Sequence, residues 1–147
     1  YVVANMRADD AQEIYNVRWT DSPHEMVNDV LSNWTFAWTA CHEGQPVAVI
    51  GAGPRHPNCW QVFMFATDDF DKVSVSLSKF VKRVMIPALY AAGATRAECA
   101  SSDDHTTAHR WLEWLGAQRE AEMRGYGKNG QTYYLYAWSR DNVWQPG

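Results

Sequence analysis

The sequence is poor in cysteine, has no long apolar run, carries no excess of positive charge and has no glycine at the strand-to-helix joint that follows Trp60. Its 147 residues include three cysteines, Cys41, Cys59 and Cys99. An odd number spaced this widely makes no CxxC redox or zinc pair and no disulfide framework. Each lies in a predicted strand and reads as a small buried apolar residue in a reducing compartment. His56 and Cys59, with Cys41 and His42, match no structural-zinc spacing, so no metal site is expected. No stretch is long and apolar enough for a membrane span. The opening YVVANMRADD has no basic region followed by an apolar one, so no secretory signal is expected. The formal net charge of −4 leaves no broad cationic surface, and nucleic acid is not an expected partner.

What the chain does have is apolar and aromatic bulk. Apolar residues make up 46% and aromatic residues 14%, enough for a real core in one domain. A single domain over residues 1–140 and a C-terminal tail over 141–147 are expected. Val2 to Met6 reads as a strand and ADDAQEIYNV as a helix with acidic residues at its start. Asp21-Ser22-Pro23 caps a second helix carrying Met26, Val27, Val30 and Leu31. From Thr35 the period becomes two, with Phe36, Trp38 and Ala40 on one face, a turn at Glu43-Gly44-Gln45-Pro46 and a return strand Val47 to Ile50. Gly51 to Asn58 reads as a loop and CWQVFMFAT as a central strand.

The remaining pattern is a long helix, Asp71 to Ala92, with Val73, Leu77, Phe80, Val81, Val84, Ala88 and Leu89 inward. Pro87 cannot donate to the Arg83 carbonyl, so a bend or early end is expected there. A strand, ATRAECAS, and a helix capped by Asp103 or Asp104 and closed by Gly116 follow. Trp111 and Leu115 belong to the core side of that helix, and Glu113 to solvent. A final hairpin turns at Lys128-Asn129-Gly130.

The joint WQVFMFATDDFDKVSVSL, Trp60 to Leu77, holds a strand, an acidic turn and a helix start, with three aspartates and no glycine. The order of elements resembles the GNAT class of N-acetyltransferases over nearly the whole chain. Local matches are the opening MRADDAQEI, the hairpin around EGQP and the segment AHRWLEWLGAQREAEMR. The resemblance implies an α/β (α+β) domain with a mixed, mostly antiparallel sheet of about seven strands and about four helices. It implies an acetyl-CoA cleft between strands splayed at Phe65, Ala66 and Thr67 and at Cys99 to Ser101, with the acceptor approaching near Trp34 and Trp38. Lys72, Val73, Ser74 and His105 fall at cofactor-contact positions.

Departures from the family pattern cluster at that cofactor. Ala108, Trp111 and Gly116 match the closing motif, but Leu112 replaces the tyrosine that protonates the leaving thiolate, and His105 replaces an asparagine. The phosphate-loop glycines fall near Lys72 and Ser74, and the basic position near Asp69. Asp68, Asp69 and Asp71 would face the pyrophosphate, each repelling it by roughly 3 kcal/mol at about 5 Å before screening. Their ordinary role is to favour the helix N-terminus.

A narrower resemblance is to small internal virion proteins of short-tailed bacteriophages, which are GNAT-like without the cofactor loop. It rests on FATDD, SKFVKRVMIPALY, SSDDHTTAHRWLEWLGAQREAEMR and QTYYLYAW, spanning Cys59 to Trp138. It implies a non-catalytic virion or ejection-associated protein in the host cytoplasm or the virion, with other virion proteins as partners and no cofactor. If acetyl transfer is kept, acetyl-CoA is the cofactor and Glu98, or a water it holds, the base; Glu120 is its expected neighbour. His105 and His109 lack a zinc-protease glutamate, and Ser74, Ser76 and Ser78 lack a nucleophile elbow. Eight tryptophans exceed what the core needs, and Trp144, beyond the last strand, is the expected partner anchor.

Overall fold

The computed structural model of the chain describes residues 1–139. Six strands form one sheet in the order β1-β2-β3-β4-β6-β5: β1 Phe36–His42, β2 Gln45–His56, β3 Cys59–Ala66, β4 Arg96–Ser102, β5 Gln118–Met123 and β6 Tyr133–Ser139. Every neighbouring pair is antiparallel except β3 with β4. The helices are α1 Ala8–Tyr15, α2 Pro23–Asn33, α3 Ser74–Phe80, α4 Ile86–Ala91 and α5 Thr106–Trp114. A π-helical turn, Val81–Met85, joins α3 to α4, leaving four helical bodies as expected. The central placement of β3 also holds.

Alternation along β3 divides the interior into two cores. Trp60, Val62 and Met64 face the larger one, with Leu77, Val81, Met85 and Leu89 of the long helical unit and Leu112 and Leu115 of the α5 region. Phe63 and Phe65 face the smaller one, with Val2, Met26, Ile14 and Val30. Each fully buried large apolar side chain contributes about 1.5–3 kcal/mol. Leu115 is buried and Glu113 exposed, as the helical period requires, whereas Trp111 is half-buried.

Four local expectations are corrected. Val2 to Met6 is not a strand: Val3–Asn5 is a 3-10 turn and Met6 makes only an isolated bridge to Thr67, so the sheet has six strands among the described residues. A strand would send Val2 and Val3 to opposite sides, but a tight turn lets Val2, Val3 and Met6 all pack on the smaller core. Residues 51–56 are not a loop, because β2 runs on to His56 and only Pro57 and Asn58 form the turn into β3. Gly51 serves cross-strand packing: a Cβ there would lie 2.5 Å from the Phe63 ring and 2.4 Å from the Phe36 carbonyl.

Of the bend or early end expected at Pro87, the early end does not occur, since α4 continues to Ala91. The π turn carries the strain, with Ile86 N–H reaching back five residues to the Val81 carbonyl. That widening shifts the helix phase, so Val73, Leu77, Val81, Met85 and Leu89 are buried and Val84 is 45% exposed. Finally, neither Asp103 nor Asp104 caps α5; the N-cap is His105, whose side chain turns inward. Ser22 does cap α2, accepting from Glu25 N–H at 3.4 Å ahead of Pro23. At the C-terminal end of α5, Gly116 adopts φ 96° and Ala117 N–H bonds the Leu112 carbonyl.

Candidate functional site

β3 and β4 pair only through Cys59–Arg96, Trp60–Ala97 and Gln61–Glu98. Beyond that point β3 stays with β2 as far as Ala66 opposite Ala48, and β4 stays with β6 as far as Ser102 opposite Tyr133. Each strand keeps its outer neighbour, so the facing edges part into a wedge. Phe65, Ala66 and Thr67 line one side of this wedge and Cys99 to Ser101 the other.

The start of α1 closes the β3 side of the wedge. Thr67 N–H donates to the Val47 carbonyl on the β2 side, so the adjacent Ala66 groups point the other way, into the wedge. There Ala66 N–H donates to Asp10 Oδ2 at 2.8 Å, and the Ala66 carbonyl accepts Arg7 N–H at 2.9 Å. Asp10 is only 2% exposed and also accepts from Arg7 Nε at 2.8 Å. Its Oδ1 lies 3.6 Å from His105 Nε2, while His105 Nδ1 meets Glu13 Oε2 at 3.0 Å. Glu13 Oε1 accepts Ser102 N–H at 2.6 Å, and Tyr133 Oη donates to the Glu13 carbonyl. Three-residue spacing places Arg7, Asp10 and Glu13 along one face of the α1 start.

The cluster balances two cations against two anions when His105 is protonated. Burial by itself would lower the His105 pKa, but the hydrogen bond and charge of Glu13, helped by Asp10, outweigh it and raise it above 6.5. Burial raises the Asp10 carboxyl against the opposing effects of Arg7, Ala66 N–H and His105. Asp10, Glu13 and His105 offer ligand atoms within 4.8 Å of one another, the one such group of three among the described residues. All three already have internal partners and Arg7 adds a positive charge, so the donor set suits an ion cluster better than a metal. His105 was anticipated as a cofactor contact; the roles of Arg7, Asp10 and Glu13 were missed, although the spacing in MRADDAQE marks them.

The other anticipated cofactor positions lie apart from this cluster. Asp68, Asp69 and Asp71 are exposed, and Lys72 Nζ is paired with Asp69 at 3.2 Å. Val73 is 3% exposed and packs in the core, and Ser74 Oγ donates to the Asp71 carbonyl. Three exposed carboxylates and one paired lysine are a poor donor set for a pyrophosphate. Leu112 is buried at the tyrosine position. The hydroxyls of Tyr133 and Tyr136 are engaged by Glu13 and by Arg119 with Glu113.

Glu98 is held between Arg55 at 3.2 Å and Arg96 at 2.8 Å, and Arg96 also grips Glu120 at 2.6 Å. Glu120 is not on an adjacent strand, because β6 lies between β4 and β5. The Arg96 hydrogen bond lowers the Glu120 pKa. Of the cysteines, Cys59 is buried, Cys99 is half-buried and Cys41 is exposed, which corrects the expectation of three buried thiols. All three lie in strands and are free. Burial pushes the Cys99 thiol up to about 12. Trp34 and Trp38 sit on opposite faces, against Phe63 at 4.4 Å and Phe80 at 5.2 Å. Trp144 lies outside the described residues, among which Trp19 and Trp114 are the exposed tryptophans.

The wedge opens into a cavity of about 330 Å³. It is lined from the smaller core by Met26, Trp34 and Phe65 and from the larger by Met85, Leu112 and Trp138, so it passes through the sheet. The surplus aromatics line the wedge without filling it.

The sequence matches no protein-family model and no curated protein. Solved structures do match its fold. An aminoglycoside 6'-acetyltransferase type Ii superposes with a TM-score of 0.68 at 17% identity, over 95% of this chain and 90% of that one. Ard1 from Thermoplasma volcanium gives 0.70 at 15%, over 88% and 85%. Ribosomal-protein-alanine N-acetyltransferase from Brucella melitensis gives 0.67 at 14%, over 93% and 91%. These superpositions, with a mixed and mostly antiparallel sheet, give this chain the GNAT acetyltransferase fold.

Proposed function

We propose that this chain uses the GNAT fold as a scaffold, without acetyl transfer, and acts through contacts with other proteins as a virion- or ejection-associated component of a short-tailed bacteriophage. The observation that carries the non-catalytic part is the occupied strand edge. A pantetheine arm that paired with this strand edge would compete for the Ala66 N–H and carbonyl, and both are already bonded by Asp10 and Arg7. Displacing them would strand a buried carboxylate between Arg7 and His105. The acidic joint, the paired Glu98 and the buried Leu112 add to this reading. The virion assignment rests on the sequence resemblance over Cys59 to Trp138, and exposed Trp19 and Trp114 are suitable anchors for a partner.

The second reading, an acetyl-CoA-dependent N-acetyltransferase, is favoured by the cavity that passes through the sheet, since such a passage lets a donor on one face meet an acceptor on the other. Calorimetric titration with acetyl-CoA separates the two. The scaffold reading expects no binding or a dissociation constant weaker than about 100 µM, and a value of about 10 µM or tighter overturns it.

A further inference from the structure

Among the described residues, three buried side-chain polar atoms have no hydrogen-bond partner: Tyr15 Oη, Arg18 Nε and Ser101 Oγ. Buried polar groups left unpaired are uncommon and call for an explanation. Two of them, on Arg18 and Ser101, line the cavity through the sheet, whereas Tyr15 does not. Ser101 is 3% exposed, so its hydroxyl has no recourse to bulk solvent.

The rest of the lining is mostly aliphatic and aromatic. Water fills such a space poorly, because each molecule needs about two to four polar partners. The charged groups at the rim cancel: Arg7 and His105 face Asp10 and Glu13, and Arg18 faces Asp29 at 2.5 Å. A net ionic ligand therefore finds no unopposed countercharge. An engineered apolar cavity of about 150 Å³ holds benzene, so the 330 Å³ cavity suits a ligand on the order of ten to twelve heavy atoms.

We propose that the wedge between β3 and β4 is a receptor site for an uncharged, largely apolar small molecule with a hydroxyl or carbonyl group at one end, which bonds Ser101 Oγ or Arg18 Nε. The site uses the splay of the fold for a ligand without phosphates. It is independent of the partner reading and needs no acetyl-CoA.

Three methionines line the cavity, Met26, Met64 and Met85, while Met6 and Met123 do not. Titration of the full chain, carbon-13 labelled at the methionine methyls, with 1-octanol therefore tests the proposal. The expected result is saturable shifts of Met26, Met64 and Met85 with Met6 and Met123 unmoved. Ser101→Ala should weaken 1-octanol about fivefold and leave cyclohexane binding unchanged. Ala100→Leu, which fills the cavity, should abolish the shifts; Ala108→Leu serves the same purpose if that variant does not fold. Absence of saturable shifts, equal movement of all five methyls, or tighter binding of octanoate than of 1-octanol would overturn the proposal.

Discussion

Removing the Asp10 carboxylate should free the strand edge that it occupies. In Asp10→Ala the Ala66 amide loses its acceptor in a buried setting, at a cost of about 1–3 kcal/mol. Arg7 and His105 lose a counter-ion at the same time, and breaking one side of a buried pair typically costs about 3–5 kcal/mol. Arg7 is 17% exposed and its guanidinium also lies 4.6 Å from the Phe70 ring, so it recovers part of its loss by turning toward water. A total of about 3–4 kcal/mol follows, which for a chain of this size lowers the melting temperature by about 10 °C. Asp10→Asn keeps an acceptor for Ala66 and loses only the charge, so it should fall between wild type and Asp10→Ala.

Thermal unfolding by circular dichroism gives the order, and hydrogen exchange reports on the edge itself. The Ala66 amide should lose protection in Asp10→Ala and largely keep it in Asp10→Asn. An Asp10→Ala variant that melts within about 2 °C of wild type, or one whose Ala66 amide stays protected, would refute the claim that Asp10 holds the wedge.

Two further outcomes follow from the same structure. The pKa of His105 is raised on folding, so its contribution is fully present below 6.5 and is lost as pH rises through the higher folded value. Asp10, also raised, has the same sign in its own lower range. The His105 contribution should therefore fall from about pH 6 to pH 8, while His109, whose pKa burial lowers, acts with the opposite sign below about 6.5; His105→Gln should make the slope of melting temperature against pH less negative, and an unchanged slope assigns it to other groups. Trp111 donates from Nε1 to Ser78 Oγ at 2.8 Å while half-buried. Trp111→Phe should cost about 1 kcal/mol and Trp111→Ala about 3 kcal/mol in chemical denaturation, and equal losses would mean that the ring's packing contributes nothing.

Legibility varied with how local the cause was. The Glu43-Gly44 turn, with φ of 50° and 79°, the Ser22 cap and the Gly116 stop depend on residues within a few positions and could be read directly. The long helix was legible in extent but not in phase, because Pro87 inserted a π turn that moved Met85 inward and Val84 outward. Residues 51–56 read as a loop because glycine and proline punctuate loops far more often than they serve a ring packed across a strand, as Gly51 does for Phe63. In the site, the lack of glycine between Trp60 and Leu77 was visible. The group that occupies the wedge was not, since Asp10 and Ala66 are 56 residues apart.

The sequence by itself determined the order of elements from the first helix onward, the central apolar β3 and the GNAT-like layout, because periodicity and capping act over one or two turns of chain. Tertiary structure alone decided that the N-terminal segment folds as a turn over Phe65 and Met26, that Arg7 and Asp10 bond Ala66, and that His105 turns inward to Glu13. It also decided that a cavity remains where β3 and β4 part. These outcomes depend on which unpaired backbone and charged groups meet when distant segments pack, and burial makes each such meeting worth several kcal/mol.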